Sequence, residues 1–166
     1  SYIKENNIDV EKRTKEIGAN WLAIEDKFIK KVEEIFGIKY PKETIEVFST
    51  TNGRCTYNIE GGYFFVDIQR GNTNITIMHE LLHFYTWQVF YKELERKGLS
   101  KLRYNDIKES LTELLNLEFS DLMSGVEDKG YDQHQDMRKR IKEIWLKNKD
   151  IKALVNSLII CATQSA

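Results

Sequence analysis

The chain contains little proline, cysteine and histidine. Of its 166 residues one is proline, two are cysteine and three are histidine. With a single proline and no repeat or low-complexity segment, no linker divides the chain, and its length suits one domain over residues 1–166. Cys55 and Cys161 are too few and too far apart in sequence for a disulfide framework, so we expect free thiols.

The chain also lacks an excess of charge of one sign and a long apolar run. Its 25 basic and 26 acidic residues leave a formal net charge of -1, which provides no electrostatic attraction for nucleic acid. The most apolar segment, residues 153–162, is too short to span a bilayer, so no membrane span is predicted. No signal peptide is visible, yet the chain begins at Ser1. We therefore expect a cytoplasmic protein if Ser1 lies near the native start, and a secreted one if a leader has been removed.

The hydrophobic pattern predicts an α+β fold. Apolar residues spaced by three and four predict one N-terminal helix from Asp9 to Phe36, which Gly37 can end. Three segments rich in β-branched and aromatic residues predict strands at 44–50, 54–59 and 63–68. Turn signals at Asn52-Gly53 and Gly61-Gly62 favour a three-stranded meander within residues 44–72. The helical C-terminal part is predicted at residues 73–98, 105–123 (capped by Asn105 or Asp106) and 133–162.

Two of the three histidines lie in the motif His79-Glu80-Leu81-Leu82-His83, inside the predicted helix 73–98. Residues four apart lie on one face of a helix, so His79 and His83 can offer their imidazoles to one metal ion. This is the geometry of a catalytic zinc site, which keeps three protein ligands and an open position for water. We expect one zinc ion per chain, with Glu80 as the general base that takes a proton from the zinc-bound water.

A third ligand is expected from Glu109, which follows His83 by 26 residues. That separation leaves room for the rest of one helix, a turn, and the start of a second helix that packs against the first. Like charges four apart, as in Glu109 and Glu113, cost a helix a few tenths of a kcal/mol unless a cation lies nearby. We predict that Glu109 binds zinc and that Glu113 accepts the outer N–H of a ligating histidine. The alternatives are exchanged roles for the two glutamates, or two glutamates on a solvated helix face.

The two motifs together resemble those of the gluzincin metallopeptidases, in which HExxH is followed by a glutamate ligand and, four residues later, by an acidic residue. The likeness covers about residues 44–116, and in size the chain is similar to the minimal single-domain gluzincins. The long C-terminal helical domain and calcium loop of the thermolysin-like enzymes have no counterpart. The resemblance implies a zincin-like fold and hydrolysis of peptide bonds. It also implies that strand 54–59 is an edge strand, where Thr56, Tyr57 and Asn58 bind an extended peptide or protein substrate.

A donor for the oxyanion of the reaction has no motif match in this chain. Chemistry alone suggests His134, the one histidine outside the motif, and its neighbour Tyr131. The alternative is that both are ordinary surface residues of a loop. For the whole chain, the alternatives to a general endopeptidase are a regulatory protease that cleaves one partner protein, and a catalytically idle zinc-binding interaction module. The intact Glu80 argues against the idle module, because a purely structural metal site needs no base.

Overall fold

The computed structural model describes residues 8–40, 44–53 and 55–164, with the backbone alone for residues 161–164. Its α+β architecture consists of a small mixed sheet and a larger helical part. The strands are β1 Glu46–Thr50, β2 Tyr57–Asn58 and β3 Tyr63–Asp67. The helices are α1 Val10–Leu22, α2 Glu25–Phe36, α3 Thr73–Arg96, α4 Lys101–Ser110, α5 Glu113–Glu118, α6 Gln135–Trp145 and α7 Ile151–Gln164. Short 3-10 turns lie at Ser120–Leu122 and Asp132–His134.

The N-terminal helical segment is broken in two, so the prediction of a single helix is wrong. At Ile24 the backbone leaves the helical region, with φ -122° and ψ -12°, and α2 starts after it. The apolar spacing of three and four continues across the break, which is why the sequence pattern does not reveal it. Gly37 does end α2, with φ 68° in the left-handed region that glycine adopts without strain.

The sheet is not a meander, and this part of the prediction is also wrong. The strand order is β1-β3-β2, with β1 parallel and β2 antiparallel to the central β3. β3 takes the centre because it is apolar on both faces, and Phe64 and Val66 are buried there. Asn52-Gly53 therefore joins two strands that do not pair, whereas Gly61-Gly62 turns the β2–β3 hairpin. Strand β2 is shorter than predicted, and Arg54 lies outside the described residues.

α3 forms over nearly the predicted range and is largely buried. The helix predicted at 105–123 is different: α4 begins at Lys101, after Ser100 accepts a hydrogen bond from the Arg103 N–H at 3.3 Å, so neither Asn105 nor Asp106 is the cap. The helix also stops at Ser110, and α5 is a separate short helix. Hydroxyls at the break bond back to the preceding turn, Ser110 Oγ to the Asp106 carbonyl at 2.6 Å and Thr112 Oγ1 to the Glu109 carbonyl at 2.8 Å, and such bonds compete with a regular helix.

α1, α2, β3 and α4 pack directly against α3, and α6 and α7 pack against α4; the core lies between these elements. α6 and α7 occupy most of the predicted range 133–162. Cys55 is a free thiol, as predicted, and the side chain of Cys161 lies outside the described residues. Among the described helices, none combines the length and the apolar character needed to cross a membrane.

Candidate metal centre

The structure brings His79 and His83 of α3 together with Glu109 of α4. Glu109 Oε2 lies 3.5 Å from His79 Nε2 and 3.4 Å from His83 Nε2. The three candidate ligand atoms all lie within 4.8 Å of one another. α3 and α4 are in direct contact, so a group of ligands from two helices is held by the core of the fold. These three residues can therefore hold a metal ion.

Two of the three distances between candidate donor atoms are compatible with a tetrahedral metal site. Zinc bonds to histidine nitrogen and carboxylate oxygen are about 2.0–2.1 Å long, so neighbouring ligand atoms of a tetrahedron lie about 3.3–3.4 Å apart. The two distances from Glu109 Oε2 to the histidine nitrogens, 3.5 and 3.4 Å, are close to this value. The His83 side chain is only 2% exposed, whereas those of His79 and Glu109 are 18% and 17% exposed. The group is thus buried on one side and reachable by solvent on the other.

The charges within the group are strongly coupled. Burial disfavours the charged form of His79, but the Asp128 and Glu109 carboxylates outweigh it and raise its pKa to about 9. Burial lowers the pKa of His83 to about 3, which keeps that imidazole neutral. Burial would raise the pKa of Glu109, yet its contacts with the two histidines hold this pKa far below the usual range. A neutral imidazole and an ionised carboxylate are the forms that bind metal, so His83 and Glu109 are already in the binding form, whereas a metal ion would have to displace a proton from His79.

Glu80, between the two histidines of the motif, has one buried carboxylate oxygen without a hydrogen-bond partner among the described residues. This oxygen is Oε2, and the residue as a whole is 6% exposed. Burial raises its pKa to about 7, and Glu109 adds to this effect. An acid with such a pKa can both take and give a proton near neutral pH, which is the property of a general base that later acts as an acid.

Lys108 orients the carboxylate of Glu109. This lysine is 3% exposed, and its Nζ lies 2.8 Å from Glu109 Oε1, while it also donates a hydrogen bond to the Tyr57 hydroxyl. Burial would lower the pKa of Lys108, but Glu109 outweighs burial and raises it. One oxygen of Glu109 is therefore occupied by an ammonium group, and the other faces the two histidines. The sequence analysis missed Lys108 because a lysine on a helix is usually solvated.

Asp128, rather than Glu113, is the carboxylate beside the outer nitrogen of a candidate ligand histidine. Its Oδ1 lies 3.4 Å from His79 Nδ1, and although burial opposes it, the contact with His79 lowers its pKa to about 2. Glu113 instead lies 2.8 Å from the Arg138 guanidinium. The predicted role of Glu113 is thus corrected, because the break between α4 and α5 takes Glu113 off the face that carries Glu109.

The loop that carries Asp128 is anchored on both sides. The Asn116 side chain donates to the Asp128 carbonyl and accepts from the Asp128 N–H, both at 2.9 Å. Arg138, which is 3% exposed, donates to Asp128 Oδ2 at 3.3 Å and to Thr112 Oγ1 at 2.7 Å. Glu113 therefore supports the site through Arg138. No spacing in the sequence indicates these contacts, since they join segments that are distant along the chain.

A cleft of about 710 Å³ opens onto the site, and residues lining it include Thr56, His79, Glu80, Asp128 and Tyr131. Tyr131 is 55% exposed on its wall, so the structure places this predicted residue near the motif. His134 is not among the lining residues. It is 6% exposed, and its Nε2 lies 3.2 Å from Asp106 Oδ1, so its predicted role at the reacting carbonyl has no support in the geometry.

The three residues predicted to bind substrate differ in where their backbone and side-chain groups lie. The Thr56 carbonyl accepts a hydrogen bond from the Phe65 N–H at 2.9 Å, and thus faces β3. Because backbone groups alternate along a strand, the N–H and C=O of Tyr57 face the outer edge. The Tyr57 ring packs 5.6 Å from the His83 ring. The Asn58 side chain accepts a hydrogen bond from the Gly61 N–H in the turn at 2.8 Å. Within the described residues β2 pairs only with β3, as expected of an edge strand.

A larger groove, of about 1000 Å³, lies between α2, the sheet and α3. Its lining includes Ile29, Tyr40 and Phe64 but none of the three candidate ligands. The larger groove is therefore separate from the group of candidate metal ligands.

Comparisons of this chain with models of known protein families, with curated proteins and with solved structures gave no match.

Proposed function

We propose that this protein is a zinc-dependent metallopeptidase of the gluzincin type, which hydrolyses peptide bonds. The observation that carries the proposal is the meeting of His79, His83 and Glu109 around one point, beside Glu80, whose buried Oε2 has no hydrogen-bond partner among the described residues. Two imidazole nitrogens and one carboxylate oxygen form a ligand set that catalytic zinc sites use. The motif pair that resembles the gluzincins supplies both the helix with the histidines and the glutamate on the neighbouring helix.

A bound zinc ion supplies a Lewis acid, which polarises a carbonyl group and makes a water molecule more acidic. The chain's own residues supply the rest. Glu80 accepts the proton of the attacking water and delivers it to the leaving amine, for which a pKa of about 7 is well suited. Lys108 and Asp128 hold Glu109 and His79 in the orientations that the ligand set requires. Tyr131, on the wall of the cleft, has a hydroxyl that can donate to a developing oxyanion.

The substrate is a peptide in extended form that pairs with the outer edge of β2. Tyr57 presents an outward N–H and C=O there, next to the cleft that Thr56 lines. Main-chain hydrogen bonds at this edge would hold a peptide bond close to Glu80, and orientation of that kind contributes much of the rate of such a reaction.

The test is hydrolysis of a mixed peptide library by the zinc-loaded protein and by its Glu80→Gln variant. We expect the wild type to cleave peptide bonds, and the variant to keep its zinc but to cleave them at a rate lower by on the order of a hundredfold or more, because Gln keeps the shape and removes the base. Equal rates would show that Glu80 is not the base. A protein that contains zinc but cleaves neither the library nor any single partner protein would refute the peptidase.

A further inference from the structure

A second pocket, of about 470 Å³, shares Thr56 with the metal cleft. Its lining includes Trp87 and Tyr91 of α3, which follow His79 and His83 at intervals of four residues. Residues at this interval lie on one face of a helix. The aromatic pocket therefore continues the metal site along the same face of α3, beneath the same edge strand.

The walls of this aromatic pocket are rings. Those of Trp87 and Tyr91 are stacked with centroids 3.5 Å apart, and Tyr104 of α4 meets them edge-on at 5.8 and 5.2 Å. Tyr104 is 3% exposed, and its hydroxyl has no hydrogen-bond partner among the described residues. Trp87 and Tyr91 are only partly buried, so they form a wall and not a closed core.

The charges at the pocket favour a neutral occupant. Glu60 and Lys101, two charged residues of opposite sign, both line it, so the formal charge of the lining is zero. A charged side chain in the pocket would therefore be attracted by one of these two residues and repelled by the other. Ring faces and ring edges together provide stacked and edge-to-face contacts, which suit another aromatic ring.

The backbone of β2 sets the direction in which a peptide would reach the pocket. Tyr57 alone presents both outward backbone groups in this short strand, and an antiparallel peptide residue can exchange two hydrogen bonds with it. The chain passes from Thr56, which lines the metal cleft, to Ile59, which lines the aromatic pocket. A peptide running antiparallel to β2 therefore places residues on the amino side of the scissile bond over the pocket.

The distance from His83 to the aromatic pocket along α3 indicates which residue of a bound peptide would reach the pocket. Trp87 and Tyr91 lie four and eight residues beyond His83, which corresponds to about 6 and 12 Å at 1.5 Å per residue. An extended peptide covers that distance with about two to four residues. We propose that the aromatic pocket selects a peptide substrate with an aromatic side chain two to four residues on the amino side of the scissile bond. This inference rests on the proposed peptidase function and adds the class of substrate to it.

The test uses binding, so that it does not depend on turnover. Peptides that differ by Phe or Ala at single positions are titrated by calorimetry into the zinc-loaded Glu80→Gln protein. We expect Phe at one of the stated positions to bind about tenfold more tightly than Ala, because a ring is buried. In the same background, Trp87→Leu removes a ring from α3 and Asn105→Trp fills the pocket from α4. Both substitutions should bring the ratio of the affinities for the Phe and Ala peptides close to one. Leu102→Ala, at a position 71% exposed on α4, should leave it unchanged.

This inference would be overturned by equal binding of Phe and Ala peptides by the Glu80→Gln protein, or by a preference for Phe that survives in both pocket variants. A preference found only on the carboxyl side would overturn it as well. Hydrolysis by the wild type without any aromatic preference would support the peptidase activity and refute the role of the aromatic pocket in substrate selection. An aromatic preference in binding, together with a wild type that cleaves no peptide, would support the pocket as a binding site and refute the peptidase activity.

Discussion

Asp128 offers the sharpest test of the metal centre, because the structure gives it a role that the sequence pattern gives to Glu113. Its Oδ1 lies 3.4 Å from His79 Nδ1, and its side chain is 11% exposed. Asp128→Asn keeps an oxygen that can accept a hydrogen bond but removes the charge. A hydrogen bond to a charged group contributes about 1.5–3 kcal/mol and a neutral one about 0.5–1.5 kcal/mol, so we expect a loss of about 1–1.5 kcal/mol. That loss corresponds to a five- to tenfold weaker affinity for zinc.

Asp128→Ala removes the acceptor altogether and should weaken zinc binding by about 10- to 100-fold, the usual effect of losing a partner of a ligating histidine. The assay is competition for zinc against a chromophoric chelator at fixed pH. Glu127→Gln is the matched control, because this neighbouring carboxylate is exposed and should leave the affinity unchanged. If both Asp128 variants bound zinc as tightly as Glu127→Gln does, the orienting role of Asp128 would be refuted.

Three further predictions concern the edge strand, the metal and the Asp128 loop. Tyr57→Pro and Tyr57→Ala both lose the ring, but only proline loses the N–H. The proline variant should therefore show a KM about two- to tenfold higher in peptide cleavage, the worth of one hydrogen bond. Removal of zinc by a chelator should lower the melting temperature by about 5–11 °C relative to protein with free zinc at a hundred times its Kd. Gly130→Ala should destabilise the fold more than Gly125→Ala and also weaken zinc binding. Both glycines have positive φ, but only at Gly130 would the new Cβ lie 2.7 Å from Arg138 Nη1.

Each of these predictions has an outcome that contradicts it. Equal KM values for the two Tyr57 variants would mean that the Tyr57 N–H donates no hydrogen bond to a substrate carbonyl. A melting temperature that does not respond to zinc would mean that the metal does not bind the native fold in preference to the unfolded chain. Equal zinc affinities in the two glycine variants, with the same loss of stability, would show that Arg138 does not transmit a displacement to Asp128.

Local sequence was sufficient for the parts of the site that depend on helical spacing. His79, Glu80 and His83 lie on α3 as the motif predicts, and the interval of four residues places the two histidines on one face of that helix. Glu109 was also found, since its distance along the chain allows one helix to turn back on another. The broken helices show the limit of the approach. Across Ile24, and between Ser110 and Glu113, apolar residues continue at helical spacing while the backbone does not.

The sequence by itself determined the α+β class, the helix with both histidines and the glutamate that meets them. The spacing of apolar residues and the chemistry of side chains are local properties, and both can be read from short stretches of the sequence. The tertiary structure alone decided the strand order β1-β3-β2, the burial of Lys108 against Glu109, and the choice of Asp128 over Glu113 as the partner of His79. These features depend on which distant segments share the core, and burial and charge pairing between such segments are set only when the chain has folded.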